Sequence, residues 1–248
     1  MNNIYKLSVS ALVWALVGCG GSPSSEPVPT PTPITPETPT VSVSVSALQG
    51  LWRSPSGAAS TLSAVALPDG KVWALISNAS SIRLLKASFA LQNNSLVGTG
   101  KSFNLGTGTT GAISMSSSVV EKSSLNGAIT TAGVSEPYSL AYQPRYDTPA
   151  SLGDFAGAWS ATLGPGTVNW NINTSGALTG TRTTGCTYTG QISLRTDLKA
   201  VANAVVTETC AGAVTQLSGV AIKNEDKLGI TMLMTNADES AAVAVSLK

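Results

Sequence analysis

From Ala47 to Lys248 the chain runs in short stretches of alternating apolar and polar residues, broken by turn residues at intervals of about ten positions. No stretch sustains a 3.6-residue apolar period between capping signals, so no helix is expected. Leu62 to Leu67 meets Pro68-Asp69-Gly70 and continues as Lys71 to Ile76, the clearest hairpin. Ile82 to Leu91 turns at Asn93-Asn94 into Leu96 to Leu105. Ala112 to Val120 turns at Glu121 to Ser124 into Leu125 to Thr131, and a strand around Tyr138 to Tyr142 ends this half. After a break at Gln143 to Pro149 the pattern restarts. Gly166 to Ile172 turns at Asn173-Thr174-Ser175-Gly176 into Ala177 to Thr183. Runs at Cys186 to Leu194, Val201 to Cys210, Val214 to Ile222, Leu228 to Thr235 and Ala241 to Leu247 follow. Lys223 to Lys227 reads as a turn.

The restart is also visible in one motif. Leu48-Gln49-Gly50-Leu51-Trp52 opens the first half and Phe155-Ala156-Gly157-Ala158-Trp159 opens the second, each with Gly two residues before Trp. The expected fold is all-β: two small antiparallel β-barrels or β-sandwiches in tandem, over residues 47–143 and 154–248. Closure into barrels is the simplest way to remove exposed strand edges.

Ahead of these halves, residues 20 to about 45 are rich in Pro, Ser and Thr and poor in charge. Such a segment buries too little apolar surface to offset its ordering entropy, and Pro biases it toward an extended, semi-rigid spacer. Val41 to Ser46 alternates perfectly, as the end of this tether or as an edge strand.

The chain starts with one cation, Lys6, followed by an apolar run from Leu7 to Val17 interrupted only by Ser8 and Ser10. That run is shorter than the roughly 20 residues needed to span a bilayer, and it has the layout of a secretory signal. Leu16-Val17-Gly18-Cys19 resembles the lipobox of bacterial lipoproteins. The resemblance implies cleavage after residue 18 (signal peptide 1–18), diacylation of the Cys19 thiol, usually acylation of its new amino group as well, and a tether over 19–46. Gly20 stands where an inner-membrane retention Asp would stand, which points to the outer membrane of a Gram-negative host, with the face left open.

Composition narrows the partners. Lys and Arg total 14 against 13 for Asp and Glu, and loss of Lys6 with the signal leaves a neutral chain. No basic excess suggests nucleic acid. Charged residues make up 11%, against about 25% in typical soluble domains, and Ser, Thr, Asn and Gly take their place. There are three cysteines. With Cys19 lipidated, Cys186 and Cys210 remain as an even pair in an exported chain, so a disulfide is expected over two free thiols. A redox role lacks the C-x-x-C spacing.

Two further resemblances concern the second half. Gly157-x-Trp159 followed by Ser175-Gly176-Ala177-Leu178-Thr179-Gly180-Thr181 is similar to the first hairpin of avidin-like barrels. It implies barrel topology. Biotin binding does not carry over, because no Trp follows Trp170 to stack on the ligand. Gly185-Cys186-Thr187-Tyr188-Thr189-Gly190, with Cys210 ahead of Gly219-Val220-Ala221, resembles proteobacterial lipoproteins that place a Pro/Ser/Thr tether before tandem small β-domains. That resemblance implies a location and a fold, and no activity.

Candidate chemistry is sparse. The chain has no histidine, which excludes Ser-His-Asp and Cys-His nucleophilic sites and every imidazole metal site. Gly106-Thr107-Gly108-Thr109-Thr110-Gly111 is Gly-rich, but no helix follows to cradle a phosphate. Glu225-Asp226 and Asp238-Glu239 fall in polar turns where solvation leaves little to shift a pKa. Asn224, Glu225 and Asp226 lack the spacing of a calcium loop. Nothing singles out a Ser-Lys dyad. Trp52 and Trp159 read as core plugs; Trp73 and Trp170 stand outside the repeated motif, so a ligand platform would fall to them. No catalytic, cofactor-binding or metal-binding residue is assigned, and no cofactor is expected. The expected role is a non-catalytic binding, adhesion or envelope-maintenance module held to the membrane through Cys19. The alternatives are a small-ligand carrier using a barrel interior and, with no feature pointing to it, a hydrolase.

Overall fold

A computed structural model describes residues 44–164, 166–197, 199–224 and 229–248. The signal segment, the lipobox with Cys19, most of the tether, and Glu225 and Asp226 lie outside the described residues. The rest is all-β, in two eight-stranded antiparallel sheets that follow chain order. The first comprises β1 (Gly50–Arg53), β2 (Thr61–Ala66), β3 (Lys71–Ser77), β4 (Ile82–Gln92), β5 (Ser95–Asn104), β6 (Thr110–Val120), β7 (Ser124–Thr131) and β8 (Val134–Tyr142). It closes into a barrel where β1 pairs with β8 through Trp52–Tyr142 and Arg53–Ala141. The second comprises β9 (Gly157–Leu163), β10 (Gly166–Ile172), β11 (Ala177–Arg182), β12 (Thr187–Leu194), β13 (Val201–Cys210), β14 (Ala213–Lys223), β15 (Ile230–Thr235) and β16 (Ala242–Leu247). Its two edges meet at Ser160 and Lys248. Each of their N–H groups donates to the other's carbonyl, at 2.9 and 3.0 Å.

The sequence repeat is a structural repeat. In each half a 3₁₀ turn, Val45–Leu48 or Leu152–Asp154, delivers a fully buried residue, Leu48 or Phe155, to the barrel mouth. The indole N–H of Trp52 donates to the Leu48 carbonyl at 2.8 Å, and that of Trp159 to the Phe155 carbonyl at the same distance. The following hairpins match as well. Gly70 donates to Leu67, Leu67 to Lys71, and the Gly70 carbonyl accepts from Phe89 in β4. Gly176, Asn173, Ala177 and Ile192 repeat those three bonds in the second half. Both glycines sit at left-handed φ, +80° and +84°. A Cβ would lie 2.7 Å from the Phe89 oxygen in one and 2.2 Å from the Ile192 oxygen in the other.

The interior of the first barrel is filled by Trp52, Leu62, Ala64, Val72, Phe89, Met115 and their neighbours. They leave a cavity of about 20 Å³, room for about one water. The second core gathers Phe155, Val168, Trp170, Ile172, Tyr188, Val206, Met232 and Met234.

The two barrels are not separate beads. On the outside of the first, Leu51, Val65, Trp73, Leu84 and Phe103 are 0–5% exposed. They belong to one apolar cluster with Val201, Val220, Ile222 and Leu233 from the outside of the second barrel. Each such side chain contributes about 1.5–3 kcal/mol relative to being left in water. This corrects the reading of Gln143 to Pro149 as a simple break. Pro144–Asp147 forms a 3₁₀ turn with Tyr146 buried in the same cluster. Asp147 accepts from the Tyr142 hydroxyl at 2.9 Å and pairs with Lys122 at 3.0 Å and Lys199 at 2.9 Å. The alternation at Val41–Ser46 is likewise neither strand nor tether end where it is described. Ser44 caps the Val45–Leu48 turn, because Val45 and Leu48 both turn inward onto the core. Asp238-Glu239 does lie in a turn, but not a merely solvated one. Glu239 is 2.8 Å from Lys86 and 3.8 Å from Lys101 of the first barrel.

Two predictions follow from this packing. Gly70→Ala and Gly176→Ala each destabilise the protein by at least about 1–3 kcal/mol, by comparable amounts, in urea titrations followed by Trp fluorescence. Asp147 is the second case. Hydrogen bonds from Lys199 and Lys122 hold its carboxyl at about 2, below the ordinary 3.8. A depressed carboxyl contributes stability above its unfolded value, and that stability is lost as pH falls through the folded value. Thermal scans of Asp147→Asn therefore show a loss of about 1 kcal/mol at neutral pH. The variant also lacks part of the stability decline of the wild type between about pH 4 and pH 2.

Candidate functional site

Of the residues singled out in the sequence, Cys186 and Cys210 are joined in a disulfide. Hydrogen-bonded pairing of β12 with β13 brings them together, Thr187 facing Thr209 immediately beside the bridge. The same end of the barrel holds Glu208, whose carboxylate accepts from the Tyr188 hydroxyl at 2.5 Å. Burial, with the Glu208 contact added, pushes the Tyr188 phenol up to about 12. Arg182 donates to the Leu163 carbonyl at 2.5 Å. A phenol held that high stays protonated at neutral pH and acts as a hydrogen-bond donor, so this cluster reads as structural. The two sulfurs and the Glu208 carboxylate lie within 4.8 Å of one another, but the sulfurs are bonded to each other and are not available as thiolate ligands.

Trp73 and Trp170 both serve packing. Trp73 is buried beneath the second barrel with the Lys86 ammonium 5.1 Å from its ring centroid. Trp170 lies inside the second barrel, edge-to-face with Tyr188 at 5.4 Å.

Three concave surfaces remain. One, of about 460 Å³, lies on the first barrel, lined in part by Ser54, Ser60, Leu62, Asn78, Glu136 and Tyr138. A second is a cleft of about 440 Å³ between the barrels, lined in part by Arg53, Ser63, Gln143, Arg145, Asn224 and Ser246. Arg145 donates to the Lys223 carbonyl at 2.6 Å across it, which makes this side of the cleft part of the inter-barrel fastening. The third is a shallow recess of about 630 Å³ on the outer face of β9 to β12. Ala158, Ser160, Asn169, Asn171, Thr179, Thr181 and Thr189 line it, and every one of them is exposed. Gly180 borders it, and the missing Cβ of Gly180 faces inward, where it would lie 2.3 Å from the Trp170 ring. Among the described residues, none of the Asn and Thr side chains in this group hydrogen-bonds within the protein. Thr179, Thr181 and Thr189 fall within the sequence motifs quoted above for family resemblance, but none of the seven was assigned to a site. Their signal is the period-two placement of small uncharged polar residues in Thr167 to Asn171, Thr179 to Thr181 and Thr187 to Gln191.

No protein-family model, curated protein or solved structure matches the chain. The disulfide closes a 24-residue separation. Its loop-closure term is about 3–4 kcal/mol. Replacing both cysteines with alanine lowers unfolding stability by about that amount in denaturant titration, with the β-sheet circular dichroism retained at low temperature.

Proposed function

We propose that the protein is an envelope lipoprotein that presents its two fused β-barrels as a non-catalytic binding module. The observation that carries the anchoring is Leu16-Val17-Gly18-Cys19 at the end of the apolar leader. Two or more acyl chains on Cys19 anchor stably, where one binds only marginally. The Cys186–Cys210 bridge suits an exported chain. Absence of a retention Asp at Gly20 favours the outer membrane. The binding role is supported by the location of the concave surfaces. Two of them lie on the outside of the second barrel and between the barrels, while the enclosed interior of the first has room for about one water.

Detergent phase partition tests the anchoring. The wild-type protein, expressed in a Gram-negative host, enters the detergent phase and its N-terminal peptide carries acyl mass on Cys19. Cys19→Ser carries no acyl mass and keeps its leader uncleaved. A wild-type protein that partitions to water rejects the anchor.

A further inference from the structure

The two barrels use the same strands in opposite ways. Matching β1–β5 to β9–β13 by their shared register places Leu51 with Ala158, Val65 with Asn171, Trp73 with Thr179, Lys86 with Thr189 and Lys101 with Thr207. The adjacent row places Arg53 with Ser160, Ser63 with Asn169, Leu75 with Thr181, Leu84 with Thr187 and Phe103 with Thr209. In the first barrel this face is apolar with basic margins, and the second barrel covers it. In the second it is two rows of small, uncharged side chains, all but Ala158 able to hydrogen-bond, and the rows on β9 to β12 border an open recess.

We propose that this face of the second barrel binds a neutral polyhydroxylated chain, an uncharged oligosaccharide or glycan strand. The proposal rests on reading the protein as a binding module and gives that module its ligand class. Charge is the first argument. No acidic or basic side chain lines the recess, so nothing there attracts an ion or repays its desolvation. A protein partner is the second class to weigh. Protein interfaces concentrate Trp, Tyr, Met and Arg anchors at their centre, whereas the exposed side chains here are Ala, Ser, Thr and Asn; Trp170 and Tyr188, which also border the recess, are buried inside the barrel, and Trp159 is tied to the Phe155 carbonyl. Hydrogen bonding is the third argument. Asn offers two donors and an acceptor, and each Thr hydroxyl both donates and accepts, matching the mixed demand of sugar hydroxyls. Threonine methyls and Ala158 supply the apolar contact that ring C–H groups need. Spacing is the fourth. Cross-strand neighbours Ala158, Asn171, Thr179 and Thr189 repeat at the strand spacing of about 4.8 Å, close to the length of one pyranose in an extended chain.

The test uses the full lipidated chain in a detergent without a sugar headgroup, titrated with neutral tetrasaccharides of glucose, mannose, galactose and N-acetylglucosamine and followed by calorimetry. At least one binds, and raising the salt leaves its affinity unchanged, as expected where no ion pair is screened. Asn169→Ala combined with Asn171→Ala weakens it about tenfold, and Thr179→Trp, which restores the first barrel's residue, blocks it. All three positions face solvent, and an unchanged melting temperature confirms that the variants fold. Failure of every neutral oligosaccharide to bind overturns the proposal. So does a ligand whose affinity collapses with salt, or variants that bind like the wild type. Detergent partition of the same preparation reads the anchoring independently, so a failed titration leaves that reading standing on its own test.

Discussion

Everything beyond the individual barrels depends on the burial of one outer face. Leu51, Val65, Trp73, Leu84 and Phe103 point away from the first barrel's interior, and in an isolated barrel they would form an apolar patch of the kind that drives association. Val201, Val220, Ile222 and Leu233 cover them from the second barrel. With that contact made, the connecting segment is fastened at several points. Tyr146 enters the cluster, Asp147 gathers Lys122, Tyr142 and Lys199, and Arg145 reaches the Lys223 carbonyl. At the far side Glu239 ties Lys86 and Lys101 to the second barrel's last hairpin. The polar contacts rim an apolar centre, as in an interface between subunits.

The same strands therefore carry two kinds of constraint. Inside, both barrels must place an indole over the mouth, a glycine in the hairpin and a filled core, and these features repeat. Outside, a strand residue answers only to what covers it. A head-to-tail contact between like units extends indefinitely unless some face breaks the complementarity. Ala158, Asn171, Thr179, Thr181 and Thr187 stand where the first barrel has Leu, Val, Trp, Leu and Leu. That exchange removes the apolar face a further barrel would need.

Much of this was legible in the chain. Period-two runs and Pro-Asp-Gly, Asn-Asn and Asn-Thr-Ser-Gly turns located most strands, because those turn residues supply the backbone angles the turns need. The Gly-x-Trp repeat marked both mouths. Other features had no local signal. The turns at Ala132-Gly133 and Ala211-Gly212 put alanine at φ +48° in both cases, a conformation its Cβ disfavours and the flanking ladders impose. β8 consequently begins at Val134, ahead of the segment around Tyr138, and carries Pro137 where β1 is too short to pair with it. The interface was half visible. Val72-Trp73-Ala74-Leu75-Ile76 is apolar at both parities, the mark of a strand buried on two faces. What lay on the second face was decided by residues more than a hundred positions away, beyond the reach of any local pattern.

A filled barrel has only its mouths and its outer wall to offer a ligand. In the first barrel one mouth is plugged by Trp52 over Leu48, and the wall of β1 to β5 is occupied by its neighbour. In the second, Trp159 covers the corresponding mouth and the disulfide, Tyr188, Glu208 and Arg182 fasten the opposite ends of β11 to β13. The wall of β9 to β12 is what remains uncovered there. On the proposed reading the chain order follows the same logic. The anchor precedes the first barrel, the first barrel is the platform, and the face left open for binding belongs to the barrel farther along the chain from the lipid.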